Sequence, residues 1–235
     1  MRHVLSALVV ALLAVLVVAA PVPKDKGVKE EPATDGQKKL AENNLKQIMI
    51  AIHSYHDANG FWPQDTATLS WRVQLLPYME EGPLYKSFAL GEAWDSDTNK
   101  KLIENLPKVF APVRVKAEKG ETFYRGFAGT NAGTAGMFQP GKRITLAGVT
   151  DGTSNTIAVI DAGEPVIWTK PGTDLDPDAK EFPKLGRMID GDYFFCAMCD
   201  GSTKKVLRKF DEKAMKAFVS RAGGEVTTDD GVFVK

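Results

Sequence analysis

The two cysteines of the chain, Cys196 and Cys199, lie three positions apart in the run CAMCDGS. Two thiols with two residues between them have the spacing that thiol–disulfide exchange requires. In such enzymes the pair lies where a loop enters a helix, because the helix N-terminus lowers the pKa of the attacking thiol. Here Asp200-Gly201 follows at once, between the strand-like flanks DYFFCAM and STKKVL, which indicates a two-residue hairpin turn of type I′.

A strand is a poor location for a reactive dithiol. Three residues of strand separate the two Cα atoms by ~10 Å and direct the side chains to opposite faces of the sheet. A disulfide requires Cα atoms within about 7 Å of each other. The pattern therefore predicts that Cys196 and Cys199 are small buried hydrophobic side chains rather than a redox pair.

Candidate metal ligands include His53 and His56, which lie three positions apart on a predicted helix with Asp57 beside them. Histidines at this spacing can bind zinc from one helix face. His56 falls within the apolar stripe of the helix and His53 near its edge, however, and this favours packed or hydrogen-bonded histidines. Metal binding is the alternative interpretation.

Asp174, Asp176 and Asp178 in TDLDPDAKE have the alternating spacing of a calcium-binding loop. Ala179 stands where that loop requires glycine, and Leu185 stands where it requires a bidentate glutamate. A solvated acidic loop is therefore favoured over a calcium site. Because the chain also contains neither a Gly-x-Ser-x-Gly nucleophile elbow nor a glycine-rich phosphate loop, we expect no cofactor and no enzymatic activity.

A ligand-binding site is suggested by tryptophans beside predicted loops, Trp94 and Trp168 among them, and by the turn sequence DGTSNT. An exposed indole ring can stack on a sugar, although core tryptophan is the more frequent case. If Asp151 and Asn155 of the turn share a concave surface with Trp168, the chain is an extracellular module that binds a glycan or small solute. This is the alternative function.

The first twenty residues are typical of an export signal, with Met1-Arg2-His3 as the charged end, an apolar run over 4–18, and Ala19-Ala20 before the cleavage site. We expect cleavage and a location in the periplasm, at the cell surface or outside the cell. The alternative is an uncleaved anchor over residues 4–20, because the apolar run of about 15 to 17 residues approaches the ~20 that span a bilayer.

The balance of charge makes a polyanionic partner unexpected. The chain has 30 basic and 30 acidic residues, and removal of residues 1–20 takes away one arginine. The remaining chain has a net charge near −1, with no overall attraction to nucleic acid or to anionic lipid. Membrane contact is expected only through an uncleaved N-terminal segment.

The sequence predicts one domain over residues 37–235, preceded by a flexible linker over 21–36 that contains three prolines and almost no large apolar residue. A helix over 37–59, ~34 Å long, begins the domain. Short helices are expected over 71–79, over 83–88, and from Asp95 or Ser96 to 105. Strands and a final helix capped by Asp211 follow, the strands over 122–127, 143–146, 156–160, 165–168, 193–199 and 203–207.

This order of elements predicts an α+β fold, with the long N-terminal helix as a spine packed on an antiparallel sheet and short helices inserted between them. Five blocks of the sequence resemble a large bacterial family of secreted, prepilin-like proteins that carry a domain of unknown function and are numerous in planctomycetes. The blocks are AENNLKQIMIAIHSYHDANGFWP (41–63), SWRVQLLPYMEEGPLYKSF (70–88), AWDSDTNKKLIENLPKVFAP (93–112), VTDGTSNTIAVIDAGEPVIWTKP (149–171) and CDGSTKKVL (199–207).

The resemblance implies the head of a type IV pilin or pseudopilin, and it implies no catalytic residues. We therefore expect an exported, non-enzymatic protein of the cell envelope with a structural or protein-interaction role, whose partners are envelope or surface proteins. The leader lacks the prepilin cleavage motif, and Pro21, Pro23 and Pro32 interrupt any continuous helix from membrane to head. Many relatives place a histidine ten positions before the Asp-Gly pair, where this chain has Asp190.

Overall fold

The computed structural model describes residues 31–235, and the predicted signal peptide and most of the predicted linker lie outside this range. The helices are α1 (Asp35–Asn59), α2 (Trp71–Gln74), α3 (Gly82–Ser87) and α4 (Glu212–Val219). The strands are β1 (Glu121–Arg125), β2 (Ile157–Ile167), β3 (Tyr193–Met198) and β4 (Thr203–Leu207). Short 3₁₀ segments occur at Leu76–Tyr78, Asn99–Leu102, Lys108–Phe110, Ala132–Thr134, Leu146–Gly148 and Thr153–Asn155.

Helix α1 begins where a reciprocal cap satisfies its first backbone donors. The Thr34 hydroxyl accepts from the Gln37 N–H at 3.2 Å, and the Gln37 side chain accepts from the Thr34 N–H at 2.9 Å. The helix ends at Gly60, whose φ of 80° is left-handed. It thus starts two residues before the predicted boundary and includes the last two residues of the predicted linker.

The sheet is a four-stranded meander in the order β1-β2-β3-β4, and each strand is antiparallel to its neighbours. The α+β class is therefore confirmed. Strand β2 joins the two strands predicted over 156–160 and 165–168 into one strand of 11 residues. The prediction of a strand over 143–146 is wrong. Residues 143–145 belong to no strand, and a 3₁₀ turn begins at Leu146.

Alternation along β3 divides the core between the two faces of the sheet. Phe195 and Ala197 belong to the cluster that contains the buried face of α1, whereas Phe194, Cys196 and Met198 lie in the cluster that contains the apolar residues of α4. On the α1 side the buried residues include Leu45, Ile48, Met49 and Ile52, all at most 1% exposed. Helix α1 contacts β3 and β4.

The turn between β3 and β4 is not the predicted two-residue type I′ turn. That type requires positive φ at Asp200 as well as at Gly201, and within residues 31–235 Glu80 is the sole non-glycine residue with positive φ. The Gly201 N–H donates to the Met198 carbonyl at 3.0 Å, and the Met198 N–H donates to Ser202 at 2.8 Å. This is a three-residue loop in which a type I turn precedes a left-handed glycine.

The physical reason for the longer loop is the Asp200 side chain, whose carboxylate accepts from the Ser202 N–H at 2.8 Å and from the Ser202 hydroxyl at 2.6 Å. Such a local bond favours right-handed φ at the aspartate. The positive φ of 88° then falls on Gly201 alone.

The outer edge of β4 is covered by the C-terminal residues. The Leu207 N–H donates to Val232 at 2.8 Å, and the Val234 N–H donates to Lys205 at 2.9 Å. This pairing removes one exposed edge of the sheet. Among the helices of residues 31–235, none combines the length and the apolar character that crossing a membrane requires.

The left-handed glycine makes a test of the hairpin possible. A Cβ at Gly201 meets nothing closer than 3.7 Å, so the cost of Gly201→Ala comes from its φ of 88°. We expect a loss of about 1 kcal/mol in the free energy of unfolding, measured by urea denaturation. Gly91→Ala is the matched control, because Gly91 has open space and no positive φ, and it should be neutral. Equal effects of the two changes would contradict the turn assignment.

Candidate functional site

Both cysteine thiols are fully buried and unbonded to each other. Cys196 packs on the α4 side of the sheet and Cys199 on the α1 side, so the prediction that they face opposite sides is confirmed. Burial raises the pKa of the Cys196 thiol to about 12 and raises the pKa of Cys199 as well. Since the thiolate is the reactive form, neither side chain is prepared for exchange chemistry.

The two histidines of α1 have separate surroundings. His56 accepts from the Leu146 N–H at 3.5 Å, and its other ring nitrogen lies 3.7 Å from the Asp57 carboxylate. His53 packs edge-on against Trp62, with 5.9 Å between ring centroids. Within residues 31–235 there is no cluster of three or more potential metal-binding side chains.

The three aspartates of the predicted acidic loop contact different partners. Asp178 accepts from the Thr134 hydroxyl at 2.6 Å, and Asp176 accepts from the Asp178 N–H at 3.0 Å. Asp174 is nearly buried, with a side chain 4% exposed, and its carboxylate faces the protein interior. The fold therefore does not bring their carboxylates to a common point.

The residues proposed for a solute site are also separated. Trp168 is fully buried in a small cluster with Phe88, and its indole N–H donates to the Ile103 carbonyl at 2.9 Å. Its ring faces are therefore not available for stacking on a solute. Asp151 accepts from the N–H groups of Gly223 and Gly224 at 2.7 and 3.0 Å, so it ties the 151–156 turn to the segment after α4.

Asn155 completes this turn from within. Its side-chain amide donates to the Asp151 carbonyl at 3.2 Å. The Cys199 N–H and the Asp200 N–H donate to carbonyls of the same turn, those of Thr156 and Thr153, at 2.8 and 3.1 Å. The DGTSNT sequence thus connects β2, the β3–β4 loop and the segment after α4.

The structure reveals one polar centre that the sequence reasoning missed, built around Arg72. This side chain is fully buried in α2, within the segment of short helices between α1 and β1 (residues 60–120), which we call the inserted segment. Its guanidinium donates twice to the Tyr124 carbonyl, at 2.8 and 3.1 Å, and once to the Ser70 hydroxyl at 2.9 Å. It also lies 4.5 Å from the centroid of the Trp71 ring. Within the apolar run WRVQLL no local signal marks this arginine as internal.

Asp174 is the counter-ion of this centre. Its carboxylate accepts from the Trp71 indole N–H at 3.0 Å, from the Gly126 N–H at 3.0 Å and from Arg72 at 3.4 Å. Tyr124 lies in β1 and Gly126 directly follows it. Strand β1 is the outermost strand of the meander. The ion pair therefore satisfies backbone groups at a sheet edge that no strand covers.

Asp65 borders this centre and accepts from the N–H groups of Trp71 and Gly172. Burial is the main cause that raises the pKa of Asp65 to about 6, and the negative charge of Asp174 adds to the shift.

Asp161 on β2 is a second carboxyl group with a raised pKa. Burial raises this pKa to about 7, although hydrogen bonds from backbone N–H groups of the 187–189 segment oppose the shift. Met188 donates to Asp161 at 3.0 Å.

A cleft of about 670 Å³ opens between residues 114–121, 163–165 and 184–191, and the last of these ranges includes the 187–189 segment that Asp161 binds. Side chains of both charges line it, among them Lys116, Lys184, Glu164 and Asp190. The Asp190 carboxylate accepts from the Ala33 N–H at 2.8 Å. This hydrogen bond is the main reason that the pKa of Asp190 lies below its usual value.

Comparison with known protein families establishes the kinship of the chain. Residues 41–185 match the family model SBP_bac_10, described as "Protein of unknown function (DUF1559)". The chain belongs to this family. The matched region extends from α1 through β2 and includes the Arg72 and Asp174 centre of this DUF1559 protein. No curated protein and no solved structure matches. The family description names no activity, so function has to be argued from the residues themselves.

The Arg72 centre is open to a double-mutant test. Arg72→Met leaves Asp174 buried without its cation, and we expect a loss of about 3–5 kcal/mol in the free energy of unfolding. Arg72→Met combined with Asp174→Asn should cost less than Arg72→Met alone, because the unpaired charge is then removed. Lys101→Met on the exposed surface is the control and should be nearly neutral. Additive losses in the double variant, measured by urea denaturation, would contradict the pairing.

The two raised carboxyl pKa values predict a pH dependence of stability. Asp65 and Asp161 stay protonated in the folded state up to about pH 6 and about pH 7, whereas in the unfolded state they ionise near pH 4. The free energy of unfolding should therefore fall as pH rises from about 4 to about 7, by at most about 1.4 kcal/mol per pH unit for each group.

The measurement is urea denaturation across this pH range. Asp161→Asn removes one titrating group and should flatten the slope between about pH 4 and pH 7. Asp95→Asn on the exposed surface is the control and should leave the slope unchanged. A slope in Asp161→Asn equal to that of the unchanged chain would contradict the assignment.

Proposed function

We propose that this DUF1559 protein is an exported, non-enzymatic protein of the cell envelope, built like the head of a type IV pilin or pseudopilin, with a structural or protein-contact role. By the sequence blocks above, the chain resembles the secreted prepilin-like group that is numerous in planctomycetes. The observation that carries the proposal is the contact of the 25-residue helix α1 with β3 and β4 of an antiparallel meander.

The way the chain enters α1 supports this proposal. Ala33 is 6% exposed, and its N–H donates to Asp190 on the segment before β3. The capping box of Thr34 and Gln37 follows immediately. The start of the helix is thereby tied to the body of the domain. Twelve residues, 21–32, separate Ala33 from the end of the predicted leader at residue 20. A tethered head requires such a firm attachment point.

The buried ionisable groups support a non-enzymatic role in a second way. Arg72 and Asp174 bind each other and the edge of β1, and Asp161 binds the 187–189 segment. Cys196 and Cys199 are packed thiols on opposite faces. These arginine, aspartate and cysteine side chains thus have structural partners within the fold.

The test follows the full chain in its host cell. An epitope tag after Lys235 and cell fractionation should place the protein in the envelope or outside the cell, and externally added protease should degrade it. In-cell cross-linking should then give discrete adducts with envelope proteins. Deletion of residues 1–20 is the control and should leave the protein inside the cell without those adducts. A cytoplasmic location of the full chain, or turnover of a substrate by the purified protein, would refute the proposal.

The cleft of about 670 Å³ favours a second candidate function, an extracellular module that binds a glycan or small solute. Because Lys184 and Glu164 present opposite charges there, zwitterionic solutes such as amino acids and short peptides are the first probes, with oligosaccharides second. Calorimetric titration should show binding that Lys184→Ala weakens and that Lys142→Ala, an exposed change outside the cleft, leaves unchanged. No heat with any probe would remove this candidate.

A further inference from the structure

The solvent-facing side of α1 carries a symmetric stripe of uncharged residues. The stripe consists of Leu40, Asn43, Gln47 and Ile50. These residues are separated by three, four and three positions, so they lie in one line along the helix. Leu40 is 50% exposed and Ile50 is 64% exposed. The order is apolar, amide, amide, apolar, and it is the same in either direction along the helix.

A groove of about 580 Å³ lies beside the Ile50 end of this stripe. Its apolar lining includes Ile50, Met79 and Val109, and Glu80 and Glu81 lie at its border. Glu80 has a φ of 62°, which is costly for a residue with a Cβ. The turn is closed by hydrogen bonds from the N–H groups of Met79 and Glu81 to Leu76, at 3.2 and 3.0 Å.

We propose that a second copy of this chain occupies the groove. In an antiparallel contact between two α1 helices, Leu40 of one copy lies against Ile50 and Met79 of the other, and the reverse contact forms at the same time. The same two-fold axis brings Asn43 opposite Gln47, because both pairs are centred on residue 45. A palindromic stripe thus forms an isologous interface, which closes as a dimer.

Charge supports this occupant. Lys39 is exposed next to Leu40. The groove that receives Leu40 is lined by two acidic residues, Glu80 and Glu81, and by one basic residue, Lys108, so its lining is net acidic. The antiparallel contact brings opposite charges together on both sides of the axis. The chain has no formal net charge, so overall repulsion does not oppose the association of two copies. The dimer goes beyond the proposed envelope role and holds whether or not that role is correct.

Disulfide trapping in the full chain tests the antiparallel contact between the two α1 helices. Leu40→Cys and Ile50→Cys are made separately, and oxidation of their mixture should give a covalent heterodimer. Each variant alone should not cross-link, because equivalent residues are offset by ~15 Å along the helices, and a disulfide needs Cα atoms within about 7 Å. Cys196 and Cys199 are fully buried and do not compete.

Leu90→Cys is the control for random collision, because Leu90 is 47% exposed and lies outside the groove. Oxidation of a mixture of Leu90→Cys and Ile50→Cys should give no disulfide-linked dimer. Cross-linking of Leu40→Cys with itself would indicate a different contact and would overturn the proposal. Absence of the heterodimer from the Leu40→Cys and Ile50→Cys mixture would overturn it equally.

Charge reversal tests the same contact without cysteines. Lys39→Glu or Glu80→Lys alone should raise the dimer dissociation constant at least about tenfold, measured by sedimentation velocity. The two reversals combined in one chain should restore the association, because the pair again carries opposite charges. Val226→Lys at a residue 89% exposed elsewhere is the control and should have no effect. A monomeric chain at about 100 µM, or no recovery in the double reversal, would refute the dimer.

Discussion

The pairing of Arg72 with Asp174 is the interaction on which the rest of the structure depends. Strand β1 is the outermost strand of the meander, and its free edge is covered by the inserted segment rather than by another strand. A buried N–H or carbonyl without a partner costs about 1–3 kcal/mol, so this edge can be buried only if donors and acceptors meet it. Arg72 supplies donors to Tyr124, and Asp174 accepts from Gly126 and from the Trp71 indole.

The same principle explains why the acidic residues that resemble ligands serve structural roles. Asp161 and Asp151 each accept from two backbone N–H groups of a distant segment, and Asp190 accepts from Ala33 at the entry to α1. Much of this α+β domain is loop and short helix, whose backbone donors lack partners within a regular element. Carboxylates are effective acceptors for such donors. The outer face of α1 and its groove are then left for contact with other molecules.

The sequence predicted the elements that depend on local interactions. The end of α1 at Gly60, the Asp211 cap of α4 and the strands β1, β3 and β4 follow from residue type and spacing, whereas the Thr34 cap of α1 was not predicted. The errors occurred where distant contacts decide the backbone. Residues 143–146 have the composition of a strand, yet no neighbouring strand is available and the Ile144 carbonyl accepts from Trp62 instead. Strand β2 continues through Pro165 because β1 pairs with its far end.

By itself, the sequence determined the fold class, the end of α1 at residue 59 and the burial of both cysteines, since period and turn composition act within a few residues. Only the tertiary structure decided which polar residues meet. Asp174 was expected in a solvated loop, but it lies beside Arg72, 102 positions away, because packing of the insert against β1 brings both to one sheet edge. Trp168 was a candidate for a binding surface only in the alternative interpretation, and it is enclosed with Phe88. Such encounters depend on three-dimensional packing, which local periodicity does not encode.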